Sequence, residues 1–139
     1  HRITVLNAWH GDQANQKAMD LLSRNDYQRM ADDMKSDQEF LVLHMESSLA
    51  PTLEDKVFES SPSIRHLSLV DSQGQDHVFK GFYQFKKARD QYELRYMLGG
   101  GSVKGYVILP APKGENLLLK VKNEFANKEI YFEIESKNP

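Results

Sequence analysis

The sequence predicts an α+β fold, with N-terminal helices packed on a single antiparallel sheet of about five or six strands. Three observations lead there. Apolar residues before position 60 recur at the 3–4 spacing of one helix face. From Ile64 onward the chain breaks into short, alternating, strand-length runs. Turn-forming residues part those runs at Ser72-Gln73-Gly74-Gln75, Gly99-Gly100-Gly101-Ser102 and Pro110–Glu115. The division expected is one α+β domain over 1–139, with 1–59 helical and 60–139 forming the sheet.

In the first half, Ala14, Ala18, Leu21 and Leu22 place a helix over about Ile3–Ser23. Asn25 with Gln28 three residues on reads as a capping box. From there Tyr27, Met30, Met34, Leu41, Met45, Leu49, Leu53 and Val57 share one helical register, a pattern typical of core packing. Asp32, Asp33, Asp37 and Glu39 are its solvated face. Pro51 breaks that register, so a short helix restarts over Pro51–Glu59. Phe40–Met45 is apolar enough to be a buried strand, which periodicity alone does not exclude; the shared register favours helix.

In the second half the expected strands are Ile64–Asp71, His77–Phe85, Tyr92–Leu98, Val103–Leu109, Asn116–Asn123 and Ile130–Glu135. The first hairpin would place His77 opposite Val70. The second, closed by the glycines, would place Tyr96 opposite Gly105, where a ring covers the glycine gap, and Arg95 opposite Tyr106. Leu117, Leu119 and Val121 alternate with Lys120 and Lys122, so one sheet face is buried and the other wet. Val103–Leu109 is apolar on both faces and belongs in the middle of the sheet.

Composition narrows the function classes. At 139 residues one domain can bury about 68% of its unfolded surface. A net charge of -2 provides no long-range field for nucleic acid or anionic membrane. The absence of cysteine removes disulfides, thiolate metal sites and cysteine nucleophiles. No apolar run is long enough to span a bilayer, and the first residues do not form a signal peptide. The start at His1-Arg2, without Met, is that of a processed protein or an excised domain.

Catalytic patterns fail on their own chemistry. Gly100–Gly105 has phosphate-loop glycine spacing, but Tyr106 stands where lysine is required. Asp71 and Asp76 flank a turn that lacks the alternating ligands and closing glutamate of a calcium loop. His66 and His77 would share a face, yet the expected register separates them by about 13 Å. No metal or cofactor is therefore expected.

What remains is a run of rings and cations between Phe79 and Tyr106. Within it Lys87, Arg89, Tyr92, Arg95 and Tyr106 are the candidate ligand-binding residues, the cations pairing an acidic group and the rings excluding water. The same residues would suit cross-strand packing under snorkelling Lys and Arg stems, or bases stacked on rings.

Ser61-Pro62-Ser63-Ile64-Arg65-His66-Leu67-Ser68-Leu69-Val70-Asp71-Ser72-Gln73-Gly74 resembles bacterial extracytoplasmic sensor domains of the PAS-like (Cache) group. That resemblance implies a long amphipathic helix, here from Tyr27, leading into an antiparallel sheet. It also implies a small-molecule pocket between the sheet and the segment joining strands two and three, here Phe85–Tyr92. A second stretch, Lys17-Ala18-Met19-Asp20-Leu21-Leu22-Ser23-Arg24-Asn25-Asp26-Tyr27, is similar to the first helices of NTF2-like domains. That fold hosts both enzymes and assembly modules; with no acid/base pair to nominate here, the likeness favours a protein-interaction module of an envelope or secretion assembly.

The favoured expectation is a non-enzymatic, periplasmic input domain of a signalling receptor. It would bind a small anionic ligand, no nucleic acid, and could dimerise through its N-terminal helix. Membrane helices would flank it in the full-length protein. The full gene should then encode apolar spans of about 20 residues on both sides of this segment, which sequencing across it checks.

Overall fold

The computed structural model describes residues 2–48, 58–59, 67–78, 83–92, 96–97, 101–114, 116–123 and 128–134. The β-branched run Ile3-Thr4-Val5 suits extended backbone and opens strand β1 (Arg2–His10). A bulge between Val5 and Asn7 takes Leu6 out of the pairing register. Ile3, Val5 and Ala8 consequently pack on one side of the strand, while Trp9 packs on the other. That spacing imitates a helix face. The helix expected from Ile3 is therefore a strand up to His10, and α1 covers Gly11–Leu21. Gly11, with φ +57°, makes the corner between them. Ala14 and Ala18 do form the buried stripe of α1.

Helix α2 (Arg24–Asp33) is capped by Ser23, whose hydroxyl accepts the Asp26 N–H at 3.3 Å. The expected cap at Asn25 is thus displaced, because the Ser23 N–H is already tied to the Gln84 carbonyl at 2.8 Å, outside the helix. Tyr27 stacks on Phe40 at 5.5 Å and donates its hydroxyl to Asn15 Oδ1 at 2.7 Å, fastening α2 to the sheet and to α1.

The long helix expected from Tyr27 to Val57 ends at Asp33. Strand β2 (Gln38–Ser48) follows, so Phe40–Met45 is the buried strand and the first 59 residues are not all helical. Of the helix expected at Pro51–Glu59, positions 51–57 lie outside the described residues. Phe58–Glu59 is strand β3, paired antiparallel with β6 (Tyr96–Met97).

The remaining strands are β4 (Leu67–Val70), β5 (Asp76–Val78), β7 (Ser102–Pro112), β8 (Leu117–Asn123) and β9 (Lys128–Ile134). The α+β class with antiparallel strands is as expected. The strands divide, however, into a three-stranded sheet β1-β2-β7, a four-stranded sheet β5-β4-β8-β9 and the pair β3-β6, instead of forming one sheet. The division has a cause in β2. Phe40 and Val42 face α1 and α2, whereas Leu41, Leu43 and Met45 face the other way and need a second cover. Leu67, Leu69, Leu117, Leu119, Val121 and Ile134 provide it from the second sheet. The result is three layers: helices, sheet, sheet.

Two registers differ from expectation. In the first hairpin His77 pairs with Leu69 and Asp76 with Val70. Gly74, at φ +78°, closes a turn in which its N–H meets the Asp71 carbonyl, and that left-handed residue shifts the pairing by one. In the second, β6 pairs with β3 and not with β7, so Tyr96 lies across from Glu59 and Gly105 across from Met45. Strand β7 is buried on both faces as expected, but β2 holds the middle of its sheet.

Gly105 meets the Tyr92 backbone instead of a ring. A Cβ at position 105 would stand 2.3 Å from Tyr92 N and 2.5 Å from its Cα. Gly105→Ala should therefore push residues 91–92 off the strand, costing about 1–3 kcal/mol or more, read as a lower urea midpoint.

Candidate functional site

Residues 83–92 join the helical layer to the free edge of β7. At one end the chain runs antiparallel to residues 21–23: Leu22 bridges Phe85, and Lys86 N–H donates to the Leu21 carbonyl at 2.8 Å. The Asp26 carboxylate accepts the Gln84 N–H. At the other end, after a 3₁₀ turn at Ala88–Asp90, Gln91 bridges Tyr106 and Tyr92 N–H donates to the Tyr106 carbonyl at 3.0 Å. This second clamp also shields an edge strand from pairing with other chains.

Between segment and strand lies a cleft of about 360 Å³, its open mouth included, lined by Leu22, Tyr83, Phe85, Gln91, Tyr92, Tyr106, Val107 and Ile108. Its enclosed floor is the size of one water molecule. Half of these lining residues, Tyr83, Phe85, Tyr92 and Tyr106, are aromatic. The Arg29 guanidinium lies 4.9 Å from the Tyr83 ring centre. Burial, then Asp33, pushes the Tyr83 phenol up from its ordinary value.

Tyr106 connects this cleft to a second group of side chains. His44, on β2, stacks on its ring at 4.4 Å, and Trp9, on β1, lies at 6.1 Å. The Lys17 ammonium, from α1, sits 4.4 Å from the Trp9 ring centre and 5.2 Å from that of Tyr106. Burial, then Lys104 and Lys17, hold the His44 imidazole below its ordinary range. It is neutral at pH 7 and offers one donor and one acceptor.

The expected site residues separate. Tyr92 and Tyr106 reach the cleft. Tyr92 does so as a structural residue: its ring is 3% exposed and packs between the sheets, and its hydroxyl hydrogen-bonds Ser47 Oγ. Lys87 and Arg89 are exposed around the 3₁₀ turn and do not line the cleft. Arg95 lies outside the described residues, so its expected pairing with Tyr106 does too; the cation over that ring is Lys17. Trp9, Lys17 and His44 escaped sequence reasoning. Trp9 and His44 lie on strands misread as helix, which hides the faces of their residues, and Lys17, on α1, meets Trp9 only once that strand is placed.

Among the described residues no group of three or more histidines and carboxylates could hold a metal. The Asp71 carboxylate is engaged in its own turn, accepting the Gln73 and Gln75 N–H groups at 2.9 Å each and meeting His77 Nε2 at 2.9 Å. The His77 bond, followed by that from Gln75, holds the Asp71 carboxyl below its ordinary value. His66 lies outside the described residues.

Neither a protein-family model nor a curated protein sequence matches the chain. In fold it is similar to YcdA of Bacillus subtilis, named as a candidate lipoprotein, with a TM-score of 0.61 and 12% identity over 98% of this chain. At that identity the likeness is one of fold alone. The chain spans 36% of the length of YcdA.

Burial pushes the Tyr92 phenol up to about 12. The unfolded chain, with its tyrosine near 10, loses that proton first. Stability is therefore complete below pH 10 and declines by about 2–3 kcal/mol as pH rises through the folded value. Urea midpoints on either side of pH 10 should show the decline, and Tyr92→Phe should reduce it.

Proposed function

We propose that this chain is a non-catalytic, extracytoplasmic ligand-binding domain of a larger envelope protein, and that it takes a small anionic ligand with a flat apolar body. The observation that carries this reading is the ring-walled cleft between residues 83–92 and β7, with cationic side chains around it. An aromatic-rich lining favours a planar guest, and a nearby ammonium favours an acid. The envelope location is supported by the fold likeness to a protein named as a candidate lipoprotein. Among the described residues no helix is long and apolar enough to cross a membrane.

A sensory role in the manner of PAS-like (Cache) domains goes with this reading, with one change of mechanism. The described helices are short, 11 and 10 residues, so no long helix between Tyr27 and Val57 can shift as a rod. The movable part would be the 83–92 segment. Its two clamps join it to the α1–α2 corner and to the edge of β7, so a guest that widens the cleft would strain both. Lys86 adds a tie to the helical side by donating to the Met19 carbonyl at 3.0 Å.

A thermal-shift screen of carboxylates and amino acids tests the proposal. A ligand at 100-fold its Kd should stabilise the fold by about 2.7 kcal/mol, raising the melting temperature, and Tyr83→Ala or Tyr106→Ala should reduce the rise. If no compound moves the melting temperature while light scattering shows self-association, the NTF2-like reading as an assembly module replaces it.

A further inference from the structure

We propose that Lys17, held against the rings of Trp9 and Tyr106 beside His44, is the group that binds the acidic head of the ligand. The inference rests on the binding reading above and names the part of the site that selects the ligand's charge.

Four other described cations already have polar partners, and Lys87 and Arg89 are exposed and off the cleft lining. Lys104 pairs with Glu46 at 3.6 Å, Arg29 with Asp26 at 3.5 Å, and Lys120 with Asp76 at 2.7 Å. Lys86 donates to the Met19 carbonyl. Among the described residues Lys17 has no carboxylate within 4.0 Å, and what holds it is two ring faces. Rings attract an ammonium but leave its charge uncancelled. Such a cation, half-buried and positioned, gains more from an anion than a freely solvated surface lysine does.

Burial, then Lys104 and Lys17, disfavour protonation of the adjacent His44, with Glu46 acting in the opposite direction. Its neutral ring can still donate one hydrogen bond to an oxygen bound at Lys17. Tyr106 belongs to both groups: its ring contacts His44 and Lys17 and also lines the cleft. A carboxylate on Lys17 would therefore have its attached apolar body beside the mouth of the cleft. The ligand class is a small aromatic or otherwise flat carboxylic acid, the acid group at Lys17 and the body along Tyr106.

The site contains its own reporter, because Trp9 is the only tryptophan of the chain. Trp9 fluorescence is titrated with benzoate, acetate and benzamide at constant ionic strength, with thermal shift as a second readout independent of that ring. Benzoate should give a saturable change, acetate a weaker one and benzamide none. Lys17→Gln should weaken benzoate by at least about tenfold, the loss of one charge-assisted hydrogen bond. Lys17→Arg should retain binding, and Lys122→Gln, at an exposed position on the other sheet, should leave it unchanged. Circular dichroism and melting temperature confirm that the variants fold. Benzamide binding as well as benzoate, with Lys17→Gln without effect, overturns the role of Lys17 and leaves the cleft standing. Acetate binding as tightly as benzoate, both lost in Lys17→Gln, keeps the anion contact and overturns the cleft. No saturable response to any of the three overturns both.

Discussion

Burial of β2 on both faces dictates how the layers of this protein are arranged. Leu41, Val42, Leu43 and Met45 are all fully buried, yet neighbours in sequence point into different cores. Each such side chain contributes about 1.5–3 kcal/mol by leaving water, but only if both faces are covered. Helices α1 and α2 cover one and the sheet β5-β4-β8-β9 covers the other. A single sheet with one wet face would have left half of this strand exposed.

The same constraint shapes the edges. β2 is flanked by β1 and β7, so β7 carries an edge that Gln91 and Tyr92 close. Gly105 allows the Tyr92 backbone to come near, and the Tyr92 ring then passes into the space between the sheets, where Ser47 of β2 meets its hydroxyl. One side of residue 92 is thus part of the core while the segment before it forms a wall of the cleft. The cleft arises where a chain crosses from the helical layer to the sheet edge without filling the space beneath it. Binding surfaces often occur at such crossings, because connecting segments are held at their ends and spanned between them.

Charge is distributed in keeping with that arrangement. The chain as a whole is slightly acidic, at -2, and the cations described near the cleft mostly have carboxylate or carbonyl partners. Lys17 differs in having two ring faces and, among the described residues, no carboxylate within 4.0 Å. On the outer face of the second sheet, by comparison, Lys120 pairs with Asp76, and the Tyr131 hydroxyl donates to Glu129 at 2.6 Å. A chain with no net attraction for anions can still hold one locally, since screening confines the effect to about 10 Å.

The sequence alone carried the α+β class, the placement of the C-terminal strands and the alternation of Leu117, Leu119 and Val121. These follow from local chemistry: turn residues mark strand ends, and alternation reads directly as a face. It did not determine β1, β2 or the splitting of the strands into two sheets. The bulge at Leu6 turned a strand's period into a helix-like one, and the unbroken apolar run of β2 has no period to read. Strand partners were equally out of reach, because pairing β6 with β3 and placing Lys17 over Trp9 and Tyr106 are contacts between distant parts of the chain. Only the packed structure decides them, since a residue's neighbours across a core are set by which faces must be covered and not by its position along the backbone.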